Sequence, residues 1–225
     1  MFGKYPLRII LHFAKLKLQE TFTPGIFLSE SNISADPISQ FAQWYKQAKK
    51  ANISFYEAMT LSTANSSGRP SARMVLLKGF NEHGFIFFSN ENSRKGKELA
   101  GNKFASLTFF WNKLGKQVRI EGAVEKINDR ESDEYFATRP RASQIGAWAS
   151  EQSSVLTNRK IFIEAIEQLE RKYKGSSVPR PPHWVRYRLI PDHIEFWQNR
   201  ANRLHDRFLF SRQESSGWKI DRLAP

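Results

Sequence analysis

The 225-residue chain contains no cysteine. Disulfides, thiolate nucleophiles and cysteine-ligated metal sites are therefore excluded, and any redox chemistry must come from a bound cofactor. The five histidines are scattered without the paired spacing that metal sites use, so the sequence predicts no metal centre. The sequence also lacks an apolar run near the ~20 residues that cross a bilayer, which predicts no membrane-spanning helix.

Acidic residues are in short supply, since 22 Asp and Glu face 35 Lys and Arg, for a net charge of +13. Such an excess predicts an anionic partner, which can be nucleic acid, acidic lipid or a phosphorylated small molecule. Charge alone favours nucleic acid, but the positions of the arginines, described below, favour a small phosphorylated ligand. A hydrophobic content of 40% and an aromatic content of 13% indicate a folded globular protein.

Residues 1–18 contain no acid and have the pattern of a short basic amphipathic helix. A secretory signal is disfavoured because His12 and Lys15 interrupt the apolar stretch and no small-residue cleavage site follows. Contact with a membrane surface is one alternative, but we expect residues 1–34 to form an N-terminal extension that is mobile or docked on the body. The protein is expected in the cytoplasm, without a membrane partner.

Residues 35–225 have the periodicity of one domain with mixed helices and strands. A helix opens at Pro37, and its apolar stripe comprises Phe41, Trp44, Tyr45 and Ala48. Five strands with short connections, over residues 58–64, 71–80, 84–89, 104–111 and 117–127, predict an antiparallel, barrel-like sheet. Further helices are predicted over residues 94–100, 130–138, 142–149 and 158–174, and further strands over residues 184–189, 193–197, 208–211 and 218–222. No linker is long enough to separate two domains.

Two basic segments are candidate anion sites. In the first, Arg73 and Lys78 bracket four apolar residues. On one regular strand they would face opposite ways about 16 Å apart, which suits two anions or the two ends of a long ligand. The alternative is a buried strand with solvated ends. In the second, Arg94 and Lys95 begin a helix, where they oppose the helix dipole. A bound phosphate would resolve this conflict, whereas the alternative is an exposed basic turn.

Two further segments combine the side chains that recognise planar or phosphorylated ligands. Tyr135, Arg139 and Ser143 are spaced i, i+4 and i+8, and together they suit a phosphate monoester, although Pro140 bends the segment. Near the C-terminus three cationic positions alternate, and an extended backbone would point them to one face, with Trp197 nearby to cover an aromatic ring. These positions are Arg203, His205 and Arg207. The alternative is a salt-bridged, solvated strand end.

The C-terminal segment resembles a known family. It reads Glu-Phe-Trp-Gln, four variable residues, then Arg-Leu-His-Asp-Arg over residues 195–207, and residues 135–148 read Tyr-Phe-x-x-Arg-Pro-Arg-x-Ser-Gln-Ile-Gly-Ala-Trp. Both are similar to the pyridoxamine 5′-phosphate oxidase family, and the resemblance covers about residues 35–225. It implies an α+β fold, an antiparallel Greek-key split β-barrel with flanking helices, and a homodimer with FMN held between subunits.

The resemblance also implies the reaction and the residues of the site. FMN would oxidise pyridoxamine or pyridoxine 5′-phosphate, and dioxygen would take up the electrons as hydrogen peroxide. The residues implied for FMN are Arg73, Met74, Val75, Leu76, Leu77, Lys78, Phe88, Ser89, Arg94, Lys95, Gln117, Gln152, Ser153, Trp197 and Arg207. Those implied for the substrate are Lys78, Tyr135, Arg139, Ser143, Arg203, Leu204 and His205. Arg203 and His205 are the catalytic candidates.

The chain departs from the family pattern at residues 19–25, where a basic and aromatic lid segment is replaced by Gln-Glu-Thr-Phe-Thr-Pro-Gly. The family's lid contacts are therefore not carried over to this sequence, and the existence of a substrate lid stays open. Two other functions stay open. One is a different flavin protein on the same barrel, such as a reductase that uses a nicotinamide. The other is a non-enzymatic basic module that binds nucleic acid or acidic lipid.

Overall fold

The computed structural model describes residues 27–127, 129–214 and 217–225. In chain order the helices are α1 (Pro37–Lys50), α2 (Arg94–Gly101), α3 (Asp129–Ala137), α4 (Arg141–Ala149) and α5 (Arg159–Lys172). The strands are β1 (Ala58–Ala64), β2 (Pro70–Leu76), β3 (Gly79–Asn81), β4 (Gly84–Asn90), β5 (Phe104–Trp111), β6 (Lys116–Ile127), β7 (Trp184–Gln198), β8 (Asp206–Arg212) and β9 (Trp218–Arg222). Short 3-10 turns cover Asn112–Leu114 and Ala201–Arg203.

One antiparallel sheet organises the described residues. Its order is β2-β1-β5-β6-β7-β4-β3, with β8 paired to β7 and β9 paired to β8. Strand β7 is the hub, because it pairs with β6 along its length, with β4 through its first half and with β8 through its second half. The prediction of an α+β fold built on an antiparallel sheet is confirmed.

Two predicted strand boundaries were wrong. Residues 184–189 and 193–197 belong to the single strand β7, because Pro191 sits opposite Gly122 at a local register shift that absorbs the missing N–H. A Cβ on Gly122 would lie 2.0 Å from the Ile190 carbonyl oxygen, so only glycine fits there. Conversely, residues 71–80 are not one strand. The ladder breaks after Leu76 and resumes at Gly79, which places Lys78 in the break.

Helix α1 packs its apolar face against the barrel core, as its apolar stripe predicted. Asp36 caps the helix by accepting hydrogen bonds from the backbone N–H groups of Ile38 and Ser39. Phe41 is fully buried, and its ring makes edge contacts with Phe80, Phe85 and Phe109 at centroid distances of 4.8, 5.0 and 5.1 Å. Such aromatic packing buries the apolar face of α1 against the sheet.

A second, smaller core lies under α3, α4 and α5. It contains Phe136, Ile145, Val178 and Trp184. The predicted stripe of α5 contributes less than expected, because Ile166, Leu169 and Tyr173 pack only partly buried against this core. The three helices therefore form a cover over β4 and β7, and the space beneath that cover is the site described below.

Residues 27–34 lie against the body of the protein. Leu28 is buried and its N–H donates to the Gln198 side chain (2.8 Å), while Glu30 forms a two-pronged ion pair with Arg222. The predicted amphipathic helix in residues 1–18 and the altered lid segment at 19–25 lie outside the described residues. Across the ranges that the structure describes, no helix is both long and apolar enough to span a membrane.

Candidate active site

A cavity of about 720 Å³ opens beneath the helical cover. Strands β2 and β4, helices α2, α3 and α4, and the start of β7 all contribute to its wall. Eleven of the residues predicted to bind FMN or the substrate line it, namely Met74, Val75, Leu76, Lys78, Phe88, Ser89, Lys95, Tyr135, Arg139, Ser143 and Gln152. Residues distant in sequence are thus brought to one space.

One wall of the cavity is a row of stacked aromatic rings. The Phe88 ring lies 4.5 Å from Tyr135 and 4.3 Å from Trp184, with interplanar angles of 5° and 10°. The Tyr135 and Trp184 rings are themselves 6.2 Å apart, so the three rings form a compact cluster of nearly parallel planes. The row fixes Tyr135 against the sheet, which holds the phenol in place at the end of α3.

Arg139 provides the strongest sign of an anion site in this cavity. Its guanidinium lies 5.4 Å from the centre of the Phe136 ring and 5.0 Å from that of Trp184. Burial lowers the pKa of Arg139. Its NH1 nitrogen is buried and has no hydrogen-bond partner among the described residues. A buried donor without a partner is costly, and an anion in the cavity would remove that cost.

Tyr135, Arg139 and Ser143 line the same cavity although they do not share one helix. Helix α3 ends at Ala137, Arg139 and Pro140 form the turn, and α4 begins at Arg141. The expected face of a continuous helix is thus replaced by a bend that points all three residues inward. Lys78 reaches the cavity from the break between β2 and β3, where its backbone N–H is bonded to Ile86 (2.8 Å).

A basic cluster at the start of α2 borders the cavity. Lys95 is 9% exposed, and its Nζ donates to the Gln152 side chain at 2.7 Å and to the Ser93 hydroxyl at 3.2 Å. Burial and the nearby charge of Arg73 lower the pKa of Lys95 to about 8. The first turn of α2 carries no acid, so the conflict with the helix dipole that the sequence indicated is present in the structure.

A smaller space of about 470 Å³ continues on the other side of this cluster. Gln152 lines both spaces, and Arg94 and Ser153 line the smaller one. Arg73 lies beneath, with its NH1 bonded to the Leu61 carbonyl at 3.1 Å and to the Thr63 hydroxyl at 2.6 Å. Neither Arg73 nor Leu77 lines these two spaces, and the side chain of Leu77 is buried in the barrel core.

The remaining predicted residues form a second group. Gln117, Trp197 and Arg207 are register partners across β6, β7 and β8, so their side chains project from one face of the sheet. Arg207 is fixed there by Glu195, whose carboxylate accepts from its Nε at 2.8 Å. The ring of His205 lies 4.6 Å from that of Trp197.

The expectation that Arg203, His205 and Arg207 alternate on one extended strand was wrong. Asn202 and Arg203 have φ angles of 59° and 62° inside a 3-10 turn, and β8 begins only at Asp206. Asparagine tolerates this left-handed region better than most residues, which favours a turn at this point. Arg203 is exposed on the turn, beside Leu204 and the half-buried His205.

The turn determines which ring nitrogen of a neutral His205 carries the proton. The backbone N–H of Arg200 donates to Nδ1 of His205 at 3.1 Å. Because Nδ1 is an acceptor in this contact, a neutral His205 carries its proton on Nε2 and presents a donor. The side chain of Arg200 closes the turn by pairing with Asp206 at 2.6 Å and covering the Phe27 ring at 3.6 Å.

The second group lies outside the two spaces of the described chain. Gln117, Trp197, Arg203, Leu204, His205 and Arg207 are absent from the linings of the two spaces described above. The sheet face that carries part of this group also exposes large apolar side chains, since Met74 is 63% exposed and Phe110 is 61% exposed. Phe110 is the register partner of Gln117.

Comparison with known proteins identifies the family. A family model described as pyridoxamine 5′-phosphate oxidase matches residues 45–173, and one described as the pyridoxine 5′-phosphate oxidase C-terminal dimerisation region matches residues 184–225. The chain is 52% identical to the pyridoxine/pyridoxamine 5′-phosphate oxidase of Nostoc punctiforme, over 88% of this chain and 92% of the relative. It is 54% identical to that of Paraburkholderia phymatum, over 88% and 93%. The chain belongs to the pyridoxamine 5′-phosphate oxidase family.

Solved structures agree with this membership. PhzG from Burkholderia lata, solved with tetrahydrophenazine-1-carboxylic acid, is 31% identical with a TM-score of 0.85, covering 91% of this chain and all 100% of PhzG. A pyridoxamine 5′-phosphate oxidase-related, FMN-binding protein from Nostoc punctiforme has a TM-score of 0.65 at 16% identity, covering 85% and 100%. The second likeness confirms the split-barrel fold. As a member of the pyridoxamine 5′-phosphate oxidase family, the protein is an oxidoreductase.

The residues present fit a phosphorylated flavin and a phosphorylated substrate. Arg139 has a buried donor without a partner, and the α2 cluster gathers cations at a helix start with no acid in its first turn. Sequence reasoning missed one residue in this cluster. Glu98, buried on α2, binds both Arg73 and Arg94. Its i+4 spacing from Arg94 was the available signal, whereas its contact with Arg73 depends on tertiary packing.

Proposed function

We propose that this member of the pyridoxamine 5′-phosphate oxidase family oxidises pyridoxamine 5′-phosphate or pyridoxine 5′-phosphate to pyridoxal 5′-phosphate, with FMN as cofactor and dioxygen as electron acceptor. For the amine, substrate, dioxygen and water give aldehyde, ammonia and hydrogen peroxide. For the alcohol, substrate and dioxygen give aldehyde and hydrogen peroxide. The observation that carries the proposal is the cavity built around the unpartnered Arg139 donor beside Lys78, Tyr135 and Ser143.

In this proposal the chain's residues bind and orient the reactants. Lys78, Tyr135, Arg139 and Ser143 hold the substrate phosphate, because a guanidinium, an ammonium and two hydroxyls match its oxygens. Arg73, Arg94, Lys95, Gln152 and Ser153 hold the cofactor phosphate. FMN supplies the two-electron redox chemistry when bound. The protein's contribution is then to fix the reacting C4′ carbon against the flavin, which replaces a bimolecular encounter by a positioned one.

The second group of residues completes the site from another copy of the chain. Gln117, Trp197 and Arg207 would contact the flavin, and Arg203 and His205 would hold the substrate ring and its C4′ substituent. Support comes from the separation of this group from the cavity within one chain, from the exposed apolar side chains on the same sheet face, and from the dimerisation region matched by residues 184–225. We therefore propose a homodimer with two equivalent sites.

A spectrum of the freshly purified protein tests this function. The proposal predicts a yellow flavin chromophore that bleaches when pyridoxamine 5′-phosphate is added without air, and that recovers with release of hydrogen peroxide when air is admitted. No nicotinamide should be needed. A colourless protein whose affinity for nucleic acid or anionic vesicles falls steeply with salt would favour the basic binding module. Bleaching by a nicotinamide alone would favour a reductase.

A further inference from the structure

Glu98 is a buried carboxylate that the proposed reaction does not use. It lies on α2 and is 7% exposed. One oxygen, Oε2, accepts hydrogen bonds from the hydroxyls of Thr63 and Ser71 and lies 3.3 Å from NH2 of Arg73. The other, Oε1, accepts from Nε of Arg94 at 2.8 Å. One side chain thus joins β1, β2 and α2 at the base of the cationic cluster.

The hydroxyls around Glu98 act as relays to Arg73. Thr63 donates to Glu98 and accepts from NH1 of Arg73, and Ser71 donates to Glu98 and accepts from NH2 of Arg73. The direction of each hydroxyl is therefore set by the carboxylate. If Glu98 lost its charge, both hydroxyls could reverse, and the guanidinium of Arg73 would lose an ion-pair partner and two oriented acceptors.

Glu98 remains charged under all ordinary conditions. Burial would raise the pKa of this carboxyl, but hydrogen bonds from Ser71, Thr63 and Arg94 lower it to about 2. Three cations surround the position, Arg73, Arg94 and Lys95, against this single anion. Three positive charges less one negative charge leave two positive charges, which match a phosphate monoester dianion.

We propose that Glu98 is a positioning residue for the phosphate of the cofactor. It fixes the guanidinium groups of Arg73 and Arg94 in the geometry that receives the phosphate. This inference rests on the proposed function, since it presumes that the α2 cluster holds the phosphate of FMN. If Glu98 only repelled the phosphate, removing its charge should tighten phosphate binding. Positioning predicts the opposite result, that removing its charge weakens phosphate binding.

The test compares two flavins that differ only in the phosphate. Apoprotein is titrated with FMN and with riboflavin, and binding is followed by quenching of flavin fluorescence. In wild type, FMN should bind more tightly than riboflavin. In Glu98→Gln, FMN affinity should fall about tenfold or more, as expected when charge-assisted hydrogen bonds are lost, while riboflavin affinity stays unchanged. Glu91→Gln is the matched control, because Glu91 precedes the same helix but pairs with Lys126.

A double-mutant cycle separates positioning from a loss of folding. If Glu98 acts through Arg94, the effect of Glu98→Gln on FMN affinity should shrink in an Arg94→Ala background. The milder variant Glu98→Asp, with thermal melting as a check, should give a smaller change in the same direction.

Three outcomes would overturn the inference. The first is a Glu98→Gln variant that binds FMN more tightly than wild type. The second is an equal loss of affinity for FMN and riboflavin, which would mark Glu98 as purely structural. In the third, wild type fails to prefer FMN over riboflavin. That result would contradict the proposed function itself, and the inference with it.

Discussion

Arg139 in the cavity is half-buried, stacked on two aromatic rings and left with an unpartnered donor, whereas Arg203 on the C-terminal turn is exposed to solvent. Lys95 and Leu204 show the same contrast, at 9% and 65% exposure. The cationic groups of the cavity are therefore already desolvated before a ligand binds, and an anion in the cavity offsets that cost. The turn bears no such cost, and in the proposed homodimer a second copy of the chain completes its surroundings.

Both regions nevertheless hold their arginines in the same way. In each region, a buried carboxylate forms ion pairs with two arginines. Glu98 is 7% exposed and serves the cavity side, while Glu195 and Asp206, at 4% and 6%, serve the C-terminal side. Glu195 pairs with Arg119 and Arg207, and Asp206 pairs with Arg200 and Arg222. Each of these carboxylates thus holds two arginines together, and removing it would leave their charges uncompensated.

Among these substitutions, Arg139→Ala should lower activity most. It should impair substrate binding in the cavity and leave the C-terminal group unaffected. Loss of a charge-assisted hydrogen bond, which contributes about 1.5–3 kcal/mol, should lower kcat/KM for pyridoxamine 5′-phosphate by roughly tenfold to a hundredfold or more. The flavin content should stay normal. Arg130→Ala is the control, because Arg130 lies on α3, is 86% exposed and pairs with Glu134. A variant that loses flavin while keeping normal kcat/KM would refute this division of roles.

The affinity for FMN should depend on pH through Lys95. The free protein has this pKa near 8, and a bound phosphate dianion would raise it. Binding is therefore strongest at pH below about 8, where Lys95 is charged before FMN arrives, and weakens at higher pH because binding must then take up a proton. The dissociation constant should rise by up to about tenfold per pH unit. Flavin titrations between pH 7 and 10 would measure this slope.

Two lysine variants and a second buried lysine sharpen that test. Lys95→Met should remove the pH slope, whereas Lys97→Met, at the exposed neighbouring position, should keep it. Burial also lowers the pKa of Lys116 to about 8, but its ammonium packs at 4.6 Å from the Trp44 ring and bonds to Gln47 on α1. FMN should therefore move the NMR titration of Lys95 and not that of Lys116. Equal movement of both lysines would contradict the placement of the phosphate.

On the C-terminal side, substitutions of His205 should give the smallest of these effects. Glutamine places an amide N–H near the position of Nε2, whereas asparagine places it near Nδ1, where Arg200 already donates. His205→Gln should thus retain about three to ten times more kcat/KM than His205→Asn, the range expected for one neutral hydrogen bond. Steady-state oxygen consumption would show this order, and equal activities of the two variants would remove the donor role.

The parts of the molecule that could be predicted from sequence are those set by local spacing. The buried stripe of α1 and the inward direction of Tyr135, Arg139 and Ser143 follow from residues within eight positions of each other. The prediction for these three residues was correct although the helix is interrupted at Pro140, because the turn between the two helices leaves all three on the cavity wall. The motif at 195–207 identified the family, although its backbone conformation was wrongly predicted as extended.

The parts that could not be predicted depend on contacts between distant residues. The turn at Asn202 and Arg203 is closed by Asp206 and by Phe27, which lies more than 170 positions earlier. The role of Glu98 needs Thr63 and Ser71 on two other strands. The separation of the predicted site into two groups follows from sheet topology, since β4, beneath the helical cover, pairs with the first half of β7, whereas β8 pairs with its second half. No local pattern contains this information.

A heterodimer with one lesion in each group tests the central claim most directly. Differently tagged Arg139→Ala and Arg203→Ala chains are co-expressed, and the doubly tagged dimer is isolated and assayed with pyridoxamine 5′-phosphate. If each site combines the cavity of one chain with the turn of the other, this dimer has one site with both lesions and one intact site. It should regain about half of the wild-type activity, although each parent homodimer is nearly inactive. A heterodimer as inactive as its parents would show that both groups act within a single chain, and would contradict the account.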